Sequence, residues 1–299
     1  MDNDITIFLM FKIMPKEFID SFSKGDLYFS CCANWIDIGK RNTNNGQGDR
    51  YEGVFAKYLR KNSRKPIKEY KKAFKKDLIV ETDGEYKLLK RRSSLYTPAM
   101  CFYSYDSNSI MAYIPSKDKD RIDKAFERNQ NKKEFVIENF PLGISDKYLK
   151  DFNIDSDNID AVTIQPRNMI LKLQSKGAYC HLVKYIDMDG EFDIFKEKHY
   201  KSFEGNLKTA FDKHVEIFFK DKKKYSHQCE YRVVMPGKLL SGMKRGKIVH
   251  VKGLSYISAP CDQSKNVDAI NATGKDIISN TKDANNLYAS ITFQKKANQ

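Results

Sequence analysis

Apolar positions along this chain gather in short runs divided by polar turns, a pattern that suits strands more than helices. Residues 27–32, 99–104, 110–114, 161–164, 169–173, 179–183, 248–251, 254–257 and 287–293 read as strands on this basis, and 228–234 as another. Asp83-Gly84 separates two apolar stretches, and Gly accepts the positive φ of a tight hairpin turn. Ser175-Lys176-Gly177 reads as a second hairpin turn. Helical spacing is confined to fewer places. Residues 15–23 form a short helix ended by Gly25, and 117–130 alternate charge at helical intervals. Leu207, Phe211, Val215, Phe218 and Phe219 make an apolar stripe over 206–220, with Lys222, Lys223 and Lys224 at its C-terminal end, where cations suit the helix dipole. Strands that outnumber helices and do not alternate with them predict an α+β fold, a largely antiparallel sheet with flanking helices. No Pro/Gly/Ser-rich linker divides residues 1–299, so a single domain is expected.

One segment departs from this pattern. Between Lys57 and Lys76 ten basic residues face one acid, Glu69. Helical spacing places the cations on about half the circumference, opposite Phe55, Leu59, Tyr70, Ala73 and Phe74. Because Pro66 interrupts a continuous helix, the expectation is a basic helical insertion over about 55–77, two helices in series with Pro66 in the first turn of the second. Lys68, Lys71, Lys72 and Lys75 are its candidate nucleic-acid contacts; a solvated amphipathic helix is the competing reading.

Composition adds direction. The formal charge of +14 over 299 residues favours a nucleic acid or another polyanion as partner. No run of apolar residues is long enough to span a membrane, and the apolar stretch at 5–11 lacks a basic n-region, so a cytoplasmic protein without membrane contact is expected. Six cysteines without a C-x-x-C pair suit reduced thiols. Five scattered histidines offer no metal-ligand spacing, so no metal is expected. Heavy use of Lys, Asn, Asp, Ile and Tyr fits an AT-rich bacterial or phage genome.

Three polar clusters are candidates for chemistry: residues 48–53, residues 174–181, and Gln228-Cys229-Glu230 with Arg232. Asp49 and Glu52 share a helical face, with Arg50 placed for a phosphate or an ion pair; an N-terminal helix cap fits equally well. In the third cluster a period of two puts Gln228, Glu230 and Arg232 on one face of a strand, which is either an exposed edge or the lining of a polar cleft.

Gln-x-Glu at the start of a strand resembles the motif of the ADP-ribosyltransferase superfamily. The resemblance implies that Glu230 is a catalytic acid engaging the nicotinamide ribose, that Gln228 faces the acceptor, and that NAD is the cofactor. Tyr28 with Ser30, or His181 with Tyr179, would stand for the family's remaining strand elements. The order Gly25-Asp26-Leu27-Tyr28, Asp49-Arg50-Tyr51-Glu52-Gly53, Glu230-Tyr231-Arg232 and Leu254-Ser255-Tyr256-Ile257 also resembles a loose group of uncharacterised bacterial and phage proteins. Together these imply a nucleotide- or NAD-binding, ADP-ribosyltransferase-like protein of bacterial or phage conflict, acting as a transferase or NAD glycohydrolase. Tyr28, Ser30, Asp49, Arg50, Glu52 and Arg232 would line the cofactor site, and a host or phage protein is a candidate target. Two rivals stand beside it: a non-enzymatic module binding nucleic acid or protein, and a metal-dependent nuclease using Asp49 and Glu52.

Overall fold

The computed structural model describes residues 7–41, 48–106, 135–137, 159–164, 166–228, 230–240, 245–254, 258–261 and 291–293. Its largest sheet contains β1 (Ile7–Pro15), β6 (Ala99–Asp106), β8 (Ile159–Ile164), β9 (Tyr179–Leu182), β13 (Glu230–Val234) and β15 (Ser258–Cys261). The order is β15-β8-β1-β6-β13-β9, and every neighbouring pair is antiparallel. A second antiparallel sheet, ordered β11-β3-β5-β4, is built from β3 (Val54–Leu59), β4 (Leu78–Asp83), β5 (Tyr86–Arg91) and β11 (Phe192–Asp193). Three strand pairs complete the set: β2 (Asp26–Phe29) antiparallel to β14 (Lys247–His250), β10 (Lys184–Ile186) parallel to β12 (Phe219–Asp221), and β7 (Phe135–Ile137) parallel to β16 (Ile291–Phe293). The helices are α1 (Ile19–Ser23), α2 (Cys32–Arg41), α3 (Arg64–Phe74), α4 (Arg92–Leu95), α5 (Pro166–Gln174), α6 (Leu207–Asp212) and α7 (Lys222–Tyr225). Helices with mainly antiparallel sheets make an α+β fold, as the apolar pattern predicts.

Alternation on β13 divides two cores. Tyr231 and Val233 join Met10, Phe22, Met100 and Phe102 on one side of the sheet, while Val234 packs with Cys32, Leu95, Ile217 and Phe218 on the other. A third cluster, with Phe55, Tyr70, Leu89, Phe192 and Phe219, fills the second sheet. Tyr179 of β9 packs against the last two of these clusters.

Several local expectations are overturned. Residues 55–59 belong to strand β3, so the basic segment holds one α-helix, α3, preceded by the 3-10 turn Arg60–Asn62. Pro66 does lie in the first turn of α3, where its missing N–H costs nothing. Residues 169–173 are helical rather than extended: Met169 and Leu173, four apart, are fully buried while Leu171 is 56% exposed. That is a helix period, and in so short an apolar run it is easily mistaken for a strand. Ser175-Lys176-Gly177 therefore ends a helix instead of turning a hairpin, with Gly177 at φ 82°. The amphipathic stripe over 206–220 is not one helix. His214, at φ 53°, stops α6 two residues after its end; the 3-10 turn Val215–Phe218 and strand β12 follow. Lys222–Lys224 then begin a separate turn, α7, whose N-terminus is capped by the Asp221 side chain, which accepts from Lys223 N at 3.0 Å. The expected strand at 110–114, the helix at 117–130, residues 255–257 and most of 287–293 lie outside the described residues.

Candidate functional site

Strand β13 is interior to the sheet, flanked by β6 and β9, and all five of its residues are buried. The polar face of Glu230 and Arg232 is therefore neither an exposed edge nor a surface feature. A carboxylate and a guanidinium taken out of water must find partners.

Arg232 finds five. Its Nη1 and Nη2 donate to Glu52 Oε2 and Oε1, each at 2.8 Å, and Nη2 and Nε both lie 2.9 Å from Glu230 Oε2. Nη1 also donates to the Ile217 carbonyl. Four of these are hydrogen bonds and the Nη2–Glu230 approach is an ion-pair contact, so each of the three guanidinium nitrogens is engaged. The Trp35 ring covers one side of the cation, 4.9 Å from Cζ. Lys220 approaches from β12, donating to Glu230 Oε1 at 2.7 Å and to Gln228 Oε1 at 2.6 Å, with Glu52 Oε1 at 3.8 Å.

The charges tune one another. Burial by itself would raise the Glu230 pKa, but Lys220 and Arg232 hold it at about 2. Burial works against protonated Lys220 and Arg232, and the two glutamates outweigh it, so both cations are held more firmly than in water. Asp49 behaves in the opposite way: burial and the nearby Glu52 push its carboxyl up to about 6, against the pull of Lys220 and a hydrogen bond from Tyr51 N at 2.9 Å.

A cavity of about 760 Å³ opens onto this network. It lies where β1 and β6 part: their ladder ends at Phe11–Tyr103, and Ala99 pairs instead with Ser30. Lys12, Met14 and Pro15 from β1 line one side, with Ala99, Met100 and Cys101 from β6. Glu52, Lys220, Glu230 and Arg232 supply charge, and Trp35 and Ile38 of α2 with Phe22 of α1 supply apolar wall. Phe18, Tyr28 and Ile248 also line it while remaining 54%, 52% and 66% exposed. Tyr28 and Ile248 sit opposite each other in the β2–β14 pair, so they form an apolar rim. Gly48 closes the wall beside α2 at φ 94°, and a Cβ there would come 2.3 Å from the Trp35 carbonyl oxygen, which leaves no room for any other residue.

Of the residues singled out from the sequence, Tyr28, Ser30, Glu52, Glu230 and Arg232 meet at this cavity. Arg232 does so with each of its three nitrogens held by Glu52, Glu230 or the Ile217 carbonyl, so it supports the two glutamates rather than offering a hand to a ligand. Gln228 is 0% exposed and does not line the cavity; it accepts from Lys220, and the acceptor-facing role finds no support. Asp49 is buried behind the lining, and Arg50 turns away to Asp83, 2.9 Å from Oδ2, and to Tyr51. Tyr179 and His181 do not line the cavity. Among the lining residues that were missed are Lys12, Lys220 and Trp35. A lysine inside the apolar run Ile7–Pro15 and the sole tryptophan were visible signals, whereas Lys220 was hidden in the supposed helix.

Lys68, Lys71 and Lys72 are exposed on α3 and Lys75 is exposed just past its end, at φ 49°, with Ile67, Tyr70 and Phe74 turned to the core of the second sheet. Lys57 is withdrawn from that face: it is buried and donates to the carbonyls of Met188 and Asp189, each at 2.9 Å. Ala73, expected on the apolar side, is exposed.

Among the described residues no group of three or more His, Cys, Asp or Glu side chains is arranged to hold a metal ion. Both Glu52 oxygens are committed to Arg232, which leaves Asp49 and Glu52 a poor metal pair for a nuclease. Among the described residues no helix is long and apolar enough to cross a membrane. A buried Ser94–His214–Glu216 contact elsewhere has Ser94 bonded to both His214 Nδ1 and Glu216, with Ser94 0% exposed; the serine has no route to a substrate. Comparison with protein-family models, curated proteins and solved structures gave no match in any of the three.

Proposed function

We propose that the chain binds a nucleotide in the cavity between β1 and β6 and acts on it at Glu230, with NAD as the candidate substrate and cleavage of its nicotinamide–ribose bond as the candidate reaction. The observation that carries this reading is an ionised carboxylate at the base of an apolar-walled cavity of nucleotide size. As the C1′–N bond breaks, its electron pair leaves with neutral nicotinamide and positive charge develops on the ribose. A fixed carboxylate stabilises that charge where it appears. Water or an acceptor hydroxyl then adds at C1′ and releases its proton, giving a glycohydrolase or an ADP-ribosyltransferase. The chain's own contribution is to hold Glu230 charged and oriented through Lys220 and Arg232. Release of nicotinamide from NAD by the wild-type protein, and its loss in Glu230→Gln, is the test.

A second reading rests on α3. Lys68, Lys71, Lys72 and Lys75 are exposed and take part in no ion pair among the described residues, which supports contact with a nucleic acid or other polyanion. It is compatible with the first, the helix acting to recruit a phosphate-rich target.

A further inference from the structure

The acids lining the cavity are matched one by one. Arg232 holds Glu52, Lys220 and Arg232 hold Glu230, and Asp26 at the mouth is hydrogen-bonded to His250 Nδ1 at 2.9 Å. Lys12 is different. Among the described residues its Nζ makes one hydrogen bond, 2.8 Å to the Cys101 carbonyl, a β6 acceptor left over where the β1–β6 ladder has ended. It has no carboxylate within ion-pair distance among the described residues, and its Nζ lies over the Phe102 ring, 5.9 Å from the centroid. An ammonium group has three donors. Two of them are unspent among the described residues, on a cation half-buried in the wall of a cavity whose other two cations, Lys220 and Arg232, are neutralised.

We propose that Lys12 is the anion receptor of this cavity, binding a phosphate of the ligand while the ligand's planar apolar part lies toward the rim of Phe18, Tyr28 and Ile248. This rests on the nucleotide reading but can fail or stand separately from it. The exposed apolar rim is the complement of that arrangement: a charged group goes in, and a base covers side chains that are otherwise open to water. Burial lowers the Lys12 pKa, partly offset by Cys101 and Glu230, so an arriving anion restores the charge that burial disfavours. At alkaline pH binding therefore takes up a proton.

Trp35 is the sole tryptophan and lines the cavity, so its fluorescence reports occupancy directly. Pyrophosphate, adenosine and ADP are titrated into wild-type protein and into Lys12→Gln and Lys12→Arg, with thermal melting confirming that each variant folds. The expected result is a Trp35 response to pyrophosphate and to ADP that weakens about 10- to 100-fold in Lys12→Gln and is largely kept in Lys12→Arg, while adenosine binding is unchanged. Calorimetry of ADP binding in two buffers of different ionisation enthalpy should show proton uptake at alkaline pH in wild type only. Equal affinity of Lys12→Gln and wild type for pyrophosphate, or no response to pyrophosphate at all, overturns the role of Lys12. A Lys12-dependent response to pyrophosphate with none to adenosine or ADP leaves Lys12 standing and removes the nucleotide reading instead.

Discussion

Arg232 and Glu52, 180 residues apart in sequence, meet in a two-pronged ion pair with both bonds at 2.8 Å, inside a region where each side chain is almost wholly shielded from water. The pair ties an interior strand of the large sheet, β13, to the segment entering β3 of the second sheet. Its geometry depends on the flat fork of a guanidinium, which a lysine cannot reproduce.

Replacing Arg232 by Lys should therefore be severe. It keeps the charge but abandons most of four hydrogen bonds, leaving Glu52 underpaired, and a loss of about 3–5 kcal/mol is expected in urea unfolding. Glu52→Gln combined with Arg232→Met should cost less than the sum of the single changes, because neither partner is then left as a lone buried charge. Additive costs would show that the pair is not coupled.

Glu230→Gln should reduce nicotinamide release from NAD by about 100-fold or more. The same change withdraws a buried anion from Lys220 and Arg232, so it should also lower the urea midpoint. Trp35 fluorescence on folded Glu230→Gln separates the two effects: intact ligand binding with lost turnover assigns the defect to chemistry.

The pH dependence carries opposite signs at two carboxylates. Asp49, with a folded pKa of about 6 against an ordinary 3.8, favours the folded state below pH 4, and that contribution disappears as pH rises to about 6. Asp49→Asn keeps the acceptor for Tyr51 N and removes the charge. It should match wild type near pH 4 and exceed it by about 2–3 kcal/mol above pH 6, read from unfolding free energies across that range.

Glu230 runs the other way. Its pKa of about 2, below the ordinary 4.5, gives stability that is full above pH 4.5 and is lost as pH falls toward 2. Acid unfolding of wild type should therefore be steep in that window and shallower in Glu230→Gln, which starts from lower stability. A parallel pair of acid-unfolding curves would contradict the ionised state of Glu230.

Changing Lys68, Lys71, Lys72 and Lys75 together to Gln should leave the melting temperature nearly unchanged, since all four side chains are exposed. DNA or RNA affinity should fall, and the slope of log K against log salt should drop by about 3–4 if each lysine neutralises one phosphate. An unaltered slope would assign these lysines to solvent alone.

Much of the fold was legible because strands declare themselves locally. Residues 99–104, 179–183 and 248–251 carry apolar and β-branched or aromatic side chains between turns, and β6, β9 and β14 form there. Residues 169–173 misled because five apolar-rich positions fit either period until Leu171 is seen to face water. Residues 206–220 misled because a regular stripe was cut by His214, whose left-handed backbone belongs to a buried contact with Ser94, a residue 120 positions earlier.

The sequence by itself determined the α+β class, the α3 cation face and the pairing of Glu230 with Arg232 on one side of a strand, since alternation and helical period are local rules. Tertiary structure alone decided what those residues do. Glu52, Lys220 and Lys12 come from distant segments, and only their convergence turns Arg232 into a clamp on two glutamates, keeps Glu230 ionised and leaves Lys12 as the cavity cation without a carboxylate partner among the described residues. Burial sets the energy of a charge, and burial is a property of the assembled chain rather than of any stretch of it.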